Sequence, residues 1–311
     1  MSTETRGLPE TTPPDAPLQS GGWIKRLLVG LWTTPAKFRI GLALILLLAV
    51  IALLEPVIND IRLDGRSPTS LGAFPRLAQP SLAHPLGTDV FGRDLLALQL
   101  VGLKYSLLVG FVAGLLATAV GVTVALVGGY IGARIDDALN MLTNAVIVTP
   151  ALPVLMAVAA FAELDMVLLA FVLAFFSWPW PARVIRAQVL SLKERPFVEF
   201  AQVSGYGRIQ IMFTEILPNL VPFIVVGFSF AVIGNIMAET GLRIIGLGPG
   251  DLVTLGLLLN WAMNVAALAQ GLYAMVLGPT AALVLIFIAL SLINVGIEER
   301  FNPRLKGVTG R

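Results

Sequence analysis

Between Lys104 and Arg134 the chain runs for 29 residues without a charged side chain. A helix needs only about 20 apolar residues to cross the hydrocarbon of a bilayer, so this interval alone constrains the fold more than any other feature. Comparable uncharged intervals follow: 15 residues between Arg39 and Glu55, 25 between Asp137 and Glu163, and 17 between Asp165 and Arg183. Two more separate Glu215 from Glu239 (23 residues) and Asp251 from Glu298 (46 residues). Charged residues make up 13% of the chain and hydrophobic ones 57%, where soluble domains carry roughly 25% charged residues. An all-α integral membrane protein is expected. With no cysteine there is no disulfide or thiolate metal site, and His84 alone cannot build a histidine metal centre. A net charge of +2 gives no reason to expect a nucleic-acid partner.

Basic residues fix the expected orientation, because cytoplasmic loops collect Lys and Arg. Five lie in residues 1–39, five in 183–208 and four from Arg300 onward. If all three regions are cytoplasmic, an even number of spans separates each pair, and the last long interval crosses only once. Six spans are predicted, at about 38–58, 104–128, 138–162, 166–184, 216–238 and 273–295. They form a transmembrane domain over 38–300 in a cell (inner) membrane, with both termini inside. Residues 252–270 carry Thr254, Asn260, Asn264 and Gln270 and read as an outer-surface or partly embedded helix. Residues 1–37, rich at their start in Pro, Thr, Ser and Gly, are expected to be a disordered cytoplasmic tail. They lack the pattern of a cleaved signal. Residues 301–311 form a second cytoplasmic tail. Five prolines between Glu55 and Lys104 mark the largest outer region as looped.

The loop 187–218 between the fourth and fifth spans is the informative stretch. It reads Glu199-Phe200-Ala201-Gln202-Val203-Ser204-Gly205, then Glu215-Ile216-Leu217-Pro218. Val198, Ala201, Gln202 and Gly205 recur at helical spacing and give one small, largely apolar face. Gly205 and Gly207 end the helix. Such a face fits either a docking surface for a cytoplasmic partner or a helix lying on lipid headgroups.

Glu199-x-Ala201, with Gly205 six residues after the Glu and Leu217-Pro218 beyond, resembles the EAA loop of ABC importer permeases. Further stretches match the C-type subunit of the dipeptide/oligopeptide group. They are His84-Pro85-Leu86-Gly87-Thr88-Asp89 with Gly92-Arg93-Asp94, Ser177-Trp178-Pro179 with Ala182-Arg183 and Arg186, and Ala238-Glu239-Thr240-Gly241-Leu242 with Gly246-Leu247-Gly248. The resemblance covers roughly residues 80–250, in order. It implies a six-span bundle of the type I importer permease kind, with ATPase docking at Glu199, Phe200, Ala201, Gly205, Leu217 and Pro218. It also implies an outer-gate scaffold at His84, Gly87, Asp89, Gly92, Arg93 and Asp94. The implied partners are a second homologous permease, two ATPase subunits, an extracytoplasmic substrate-binding protein and the bilayer. No cofactor is implied on this chain; ATP and Mg belong to the ATPases. The cargo would be di- or oligopeptides, with oligosaccharides or nickel as alternatives in the same group and a stand-alone secondary transporter as the rival from another class. Three departures stand out: Phe200 where the signature has Ala, Pro196 beginning that helix, and Arg243 where the group has a small polar residue; beyond Gly248 the sequence diverges and the group's Trp-Gly near Asp251 is absent.

Single residues can also be read physically. His84, before Pro85, is expected to serve a turn. Thr88 or Asp89 is the expected N-cap of the second span, with Asp94 in its first turn. Glu239 and Arg243, four apart with the acid first, are expected to pair at the outer end of the fifth span. Gly110, Gly114 and Gly121 form a small-residue stripe suited to close helix packing. Pro150 and Pro153 should kink the third span, and Pro218 and Pro222 the start of the fifth. No uncharged interval holds an ionisable group at its centre, unlike ion-coupled carriers, and no phosphate-binding Gly-Lys loop is present. Reporters fused at Gln79 and Thr309 should lie on opposite sides of the membrane; the same sidedness for both would overturn the topology.

Overall fold

The computed structural model describes residues 35–162 and 164–301. The expected tails, 1–37 and 301–311, lie outside the described residues except at their inner edges, where Ala36, Lys37 and Phe301 are helical. The helices are α1 (Ala36–Leu63), α2 (Leu95–Leu126), α3 (Ala133–Val148), α4 (Ala151–Phe161), α5 (Met166–Ser177), α6 (Pro179–Lys193), α7 (Pro196–Val203), α8 (Arg208–Ile211), α9 (Leu217–Ile244), α10 (Leu255–Asn264) and α11 (Tyr273–Phe301). Two π-helical turns, Val127–Ile131 and Met212–Ile216, extend α2 and lead into α9. Among the described residues, four helical stretches are long and apolar enough to cross a bilayer singly: Ala36–Leu63, Leu95–Ile131, Arg208–Ile244 and Tyr273–Arg300. Two bent pairs, α3 with α4 (75°) and α5 with α6 (44°), bring the total to six if each pair crosses once.

α2 is the hub, packing against α1, α5, α6, α9 and α10. Its glycines make this possible. A Cβ on Gly114 would lie 2.6 Å from Val232 Cγ2 of α9, and one on Gly121 would lie 3.0 Å from the Trp178 carbonyl oxygen at the head of α6. The small-residue stripe therefore packs inside this chain. α1 and α11 close the other side of the bundle in the same way. A Cβ on Gly41 would sit 2.6 Å from the Ala289 carbonyl oxygen, and one on Gly296 would sit 2.5 Å from the Phe38 amide. The ion pair Lys37–Glu299 joins the ends of these two helices.

Several helices outrun the predicted spans, for one reason. Charges that the sequence presents as span ends lie inside helices where a partner neutralises them. α1 continues through Glu55 and Pro56 to Leu63, and α2 starts nine residues before Lys104. Lys104 Nζ lies 3.0 Å from Glu55 Oε2, and Asn59 Nδ2 donates to Glu55 Oε1 at 2.8 Å. Glu55 and Asn59 are buried. α6 likewise runs on to Lys193, so the first residues of the expected loop 187–218 are helical. The third span breaks at Thr149, whose extended backbone (ψ 124°) is the conformation that a following proline favours. α10 is not a surface helix: Leu255, Leu258 and Ala262 are buried.

The α2–α9 approach yields a stability test. Gly114→Leu must displace Val232 backbone as well as its side chain. Overpacking of this kind costs about 1–3 kcal/mol. The purified permease should unfold at a lower temperature, whereas Leu115→Ala on the exposed face should leave the melting point unchanged.

Candidate functional site

α7 is built by its flanking residues. Arg195 is extended (φ −85°, ψ 146°) and Pro196 occupies the first helical position, where a missing amide costs nothing and the ring presets φ. Gly205 ends the helix in the left-handed region at φ +83°. Its amide donates to Gln202 O at 3.0 Å, and the Tyr206 amide donates to Ala201 O at 3.1 Å. This is the Schellman arrangement, which a Cβ at Gly205 would strain.

The eight-residue helix has two unlike faces. Val198 and Ala201 are buried in one apolar cluster with Ile185 and Val189 of α6, Ile211, Met212, Ile216 and Leu220. Of the small face expected to dock, Val198 and Ala201 thus seat the helix on its own bundle, whereas Gln202 and Gly205 are exposed. The outward face carries Phe197 (38% exposed), Phe200 (75%) and Val203 (84%), with Tyr206 and Ile209 also exposed beyond it. Glu199 is exposed in the first turn and lines a cleft of about 660 Å³ with Tyr130, Lys193, Gln202, Tyr206 and Arg208. Leu217 packs partly into the cluster beneath α7, whereas Pro218 is exposed at the start of α9. The Met212–Ile216 π turn precedes them, and Asn219 Nδ2 donates to the Glu215 carbonyl there at 2.7 Å.

The outer motif is assembled as a knot. Asp94, not Thr88 or Asp89, is the N-cap of α2: its Oδ1 accepts from the Ala97 amide at 2.7 Å. The Asp94 side chain is fully buried, and His84 Nδ1 lies 2.7 Å from its Oδ2. The Arg62 guanidinium approaches both oxygens at 3.4 Å. His84 also stands edge-on to Phe74. Asp89 accepts from the amides of Phe91 and Arg93 at 2.9 Å and from Arg93 Nε at 2.6 Å. The Arg93 guanidinium then lies 4.0 Å from the ring centroid of Trp261 on α10, a favourable cation–π contact. Gly87 and Gly92 both have positive φ (+77° and +73°), and the Ala78 carbonyl oxygen would lie 2.5 Å from a Cβ on Gly87. All six residues of the expected scaffold thus meet in one structure. No group of His, Cys, Asp and Glu suited to a metal ion occurs among the described residues.

Glu239 and Arg243 do pair (3.5 Å), yet both are buried rather than placed at an interface. Thr254, the N-cap of α10, donates its hydroxyl to Glu239 Oε1 at 2.6 Å. Arg243 donates to the Pro249 carbonyl at 2.5 Å and also to the Leu252 carbonyl. Arg243 therefore clamps the 246–254 loop to α9. Helical spacing revealed the pair, but its loop partners follow no periodicity. Arg243→Met would strand the Glu239 carboxylate in the interior, at about 3–5 kcal/mol. Thermal unfolding of the purified permease should show a large loss for the single change and partial recovery when Glu239→Gln is added.

Residues 95–307 match the family described as the binding-protein-dependent transport system inner membrane component. The chain is 30% identical over 231 residues to the oligopeptide transport system permease protein OppC of Mycobacterium tuberculosis, covering 73% of this chain and 78% of that one. It is 34% identical over 239 residues to a Brucella suis protein provisionally named a peptide permease protein, covering 76% and 78%. A second, provisionally named peptide transport system permease protein of that organism is 30% identical over 273 residues, covering 87% and 88%. The matched residues run from the first residue of α2 through α7 and α11, so the chain belongs to the family of inner membrane components of binding-protein-dependent transport systems.

Proposed function

We propose that this chain, with a second homologous permease, forms the translocation path of an ATP-driven importer for di- or oligopeptides. An extracytoplasmic binding protein delivers the cargo, and two cytoplasmic ATPase subunits, holding ATP and Mg, drive the cycle. Peptide cargo is supported by the names of the relatives. Both termini lie in the cytoplasm in this reading, and the outer knot faces the binding protein's side.

The observation that carries the docking assignment is the division of α7. A helix seated by Val198 and Ala201 while exposing Phe197, Phe200 and Val203 offers a partner an aromatic ridge on a fixed base. Glu194 and Arg195 alone separate it from α6. ATP-driven closure of the ATPases would displace the ridge, and α6 would carry that displacement into the spans. The bends at Thr149 and Trp178 are where the third and fourth spans could change direction as the path alternates between outer and inner access.

Phe200→Ala tests the ridge. Burial of an aromatic ring in a partner groove contributes about 2 kcal/mol beyond a methyl group, a roughly thirtyfold change in affinity. ATPase subunits should wash off the variant during purification while the two permeases stay together. Retention at native strength would remove Phe200 from the contact, and loss of the permease pair would place it at the wrong interface.

A further inference from the structure

α3 is the least anchored long helix of the bundle. Thr143 is its only buried residue, and Ile135, Met141, Leu142 and Val148 all face outward. Apolar packing is confined to the half-buried Leu139 and Val146, the latter against the cluster around Leu155. Polar links tie the helix to α6. Arg186 donates from Nε to Asp136 Oδ1 at 2.6 Å and from a terminal nitrogen to Asp136 Oδ2 at 2.5 Å. Two turns further along α3, Asn144 Oδ1 accepts from Arg183 at 2.7 Å. A forked guanidinium–carboxylate contact is directional as well as strong, so it transmits rotation and not merely proximity.

α6 is anchored quite differently. Its Ile185 and Val189 are fully buried in the same cluster as Val198 and Ala201 of α7, which makes α6 and α7 one packed body. The inner end of α2 is shaped to let the fork form beside it. A Cβ on Gly128 would lie 3.1 Å from Asp136 Oδ1, and one on Gly129 would lie 2.8 Å from Val189 Cγ1. Gly132, at φ +74°, then turns the chain directly into α3.

From this arrangement we infer that Asp136 and Arg186 are the joint through which movement of the docking helix is passed to the third span. They are positioning residues. They touch neither nucleotide nor cargo, and they convert a displacement of the α6–α7 body into a displacement of α3. The inference rests on α7 being the ATPase-docking element. It adds the route by which the motion reaches a helix that the docking body does not pack around.

The test uses the whole complex of both permeases and both ATPase subunits in lipid nanodiscs, with ATP and orthovanadate as the probe. This chain has no cysteine, so cysteines at the exposed Leu142 of α3 and Leu115 of α2 can carry spin labels, the other subunits being made cysteine-free. Vanadate trapping should shift the α2–α3 distance in the otherwise native complex. Asp136→Asn and Arg186→Gln should each abolish most of that shift while retaining the ATPase subunits, a roughly tenfold loss of coupling. Arg186→Lys, which keeps the charge but not the fork, should give an intermediate shift. The exchange Asp136→Arg with Arg186→Asp should restore it. A native shift in either neutral variant, or an exchange no better than the single changes, would overturn the joint. Should the native complex fail to hold its ATPase subunits, the docking assignment itself falls, which is a separate and recognisable result.

Discussion

An ion that enters an apolar bundle without a counter-charge costs several kcal/mol, and the helices of this protein stand where that cost is cancelled. Glu55 and Lys104 pin α1 to α2, Glu239 and Arg243 pin α9 to the loop before α10, and Asp136 and Arg186 pin α3 to α6. Apolar contacts alone are undirected and could be satisfied in many helix arrangements. The ion pairs select one, because each charge has a single acceptable address. In this respect the polar minority of the chain specifies the arrangement and the apolar majority stabilises it.

That division explains which parts of the fold the sequence reveals. Uncharged intervals locate every long helix, since a run such as residues 105–133 has no alternative to crossing or deep burial. The same ruler cuts α1 at Glu55 and α2 at Lys104, because a one-dimensional pattern cannot show that two charges 49 positions apart neutralise one another. Helical spacing likewise separates the faces of α7 but not their directions. Val198 and Ala201 look like a contact surface, and they are one, with this chain's own cluster as the partner. In the outer motif all six residues are legible as a group. The capping role falls to Asp94, five residues beyond Asp89, because residues 88–94 fold back on themselves through the Thr88–Asp94 bridge before the helix begins.

The two ends of the molecule follow opposite designs. The outer knot is dense with short polar contacts: Asp89, Asp94, Arg93 and His84 bond to one another, to backbone amides and to Trp261. Asp94 ties it to the head of α2 and Arg93 ties it to α10. The end that carries α7 offers exposed rings on a short helix, an open cleft beside it, and an α3 tied to α6 by side-chain bonds. In the proposed importer, rigidity toward the binding protein and compliance toward the ATPases would suit a subunit driven from within the cell.

The π turn at Met212–Ile216 gives this arrangement a phase. A π turn accommodates one residue more than the α-helix it interrupts, and one residue corresponds to about 100° of helical rotation. Everything on the N-terminal side of that turn, α8 and α7 included, is therefore set at an azimuth around the axis of α9 that a continuous α-helix would not give. Where Phe200 points is set as much by one surplus residue a dozen positions downstream as by α7 itself.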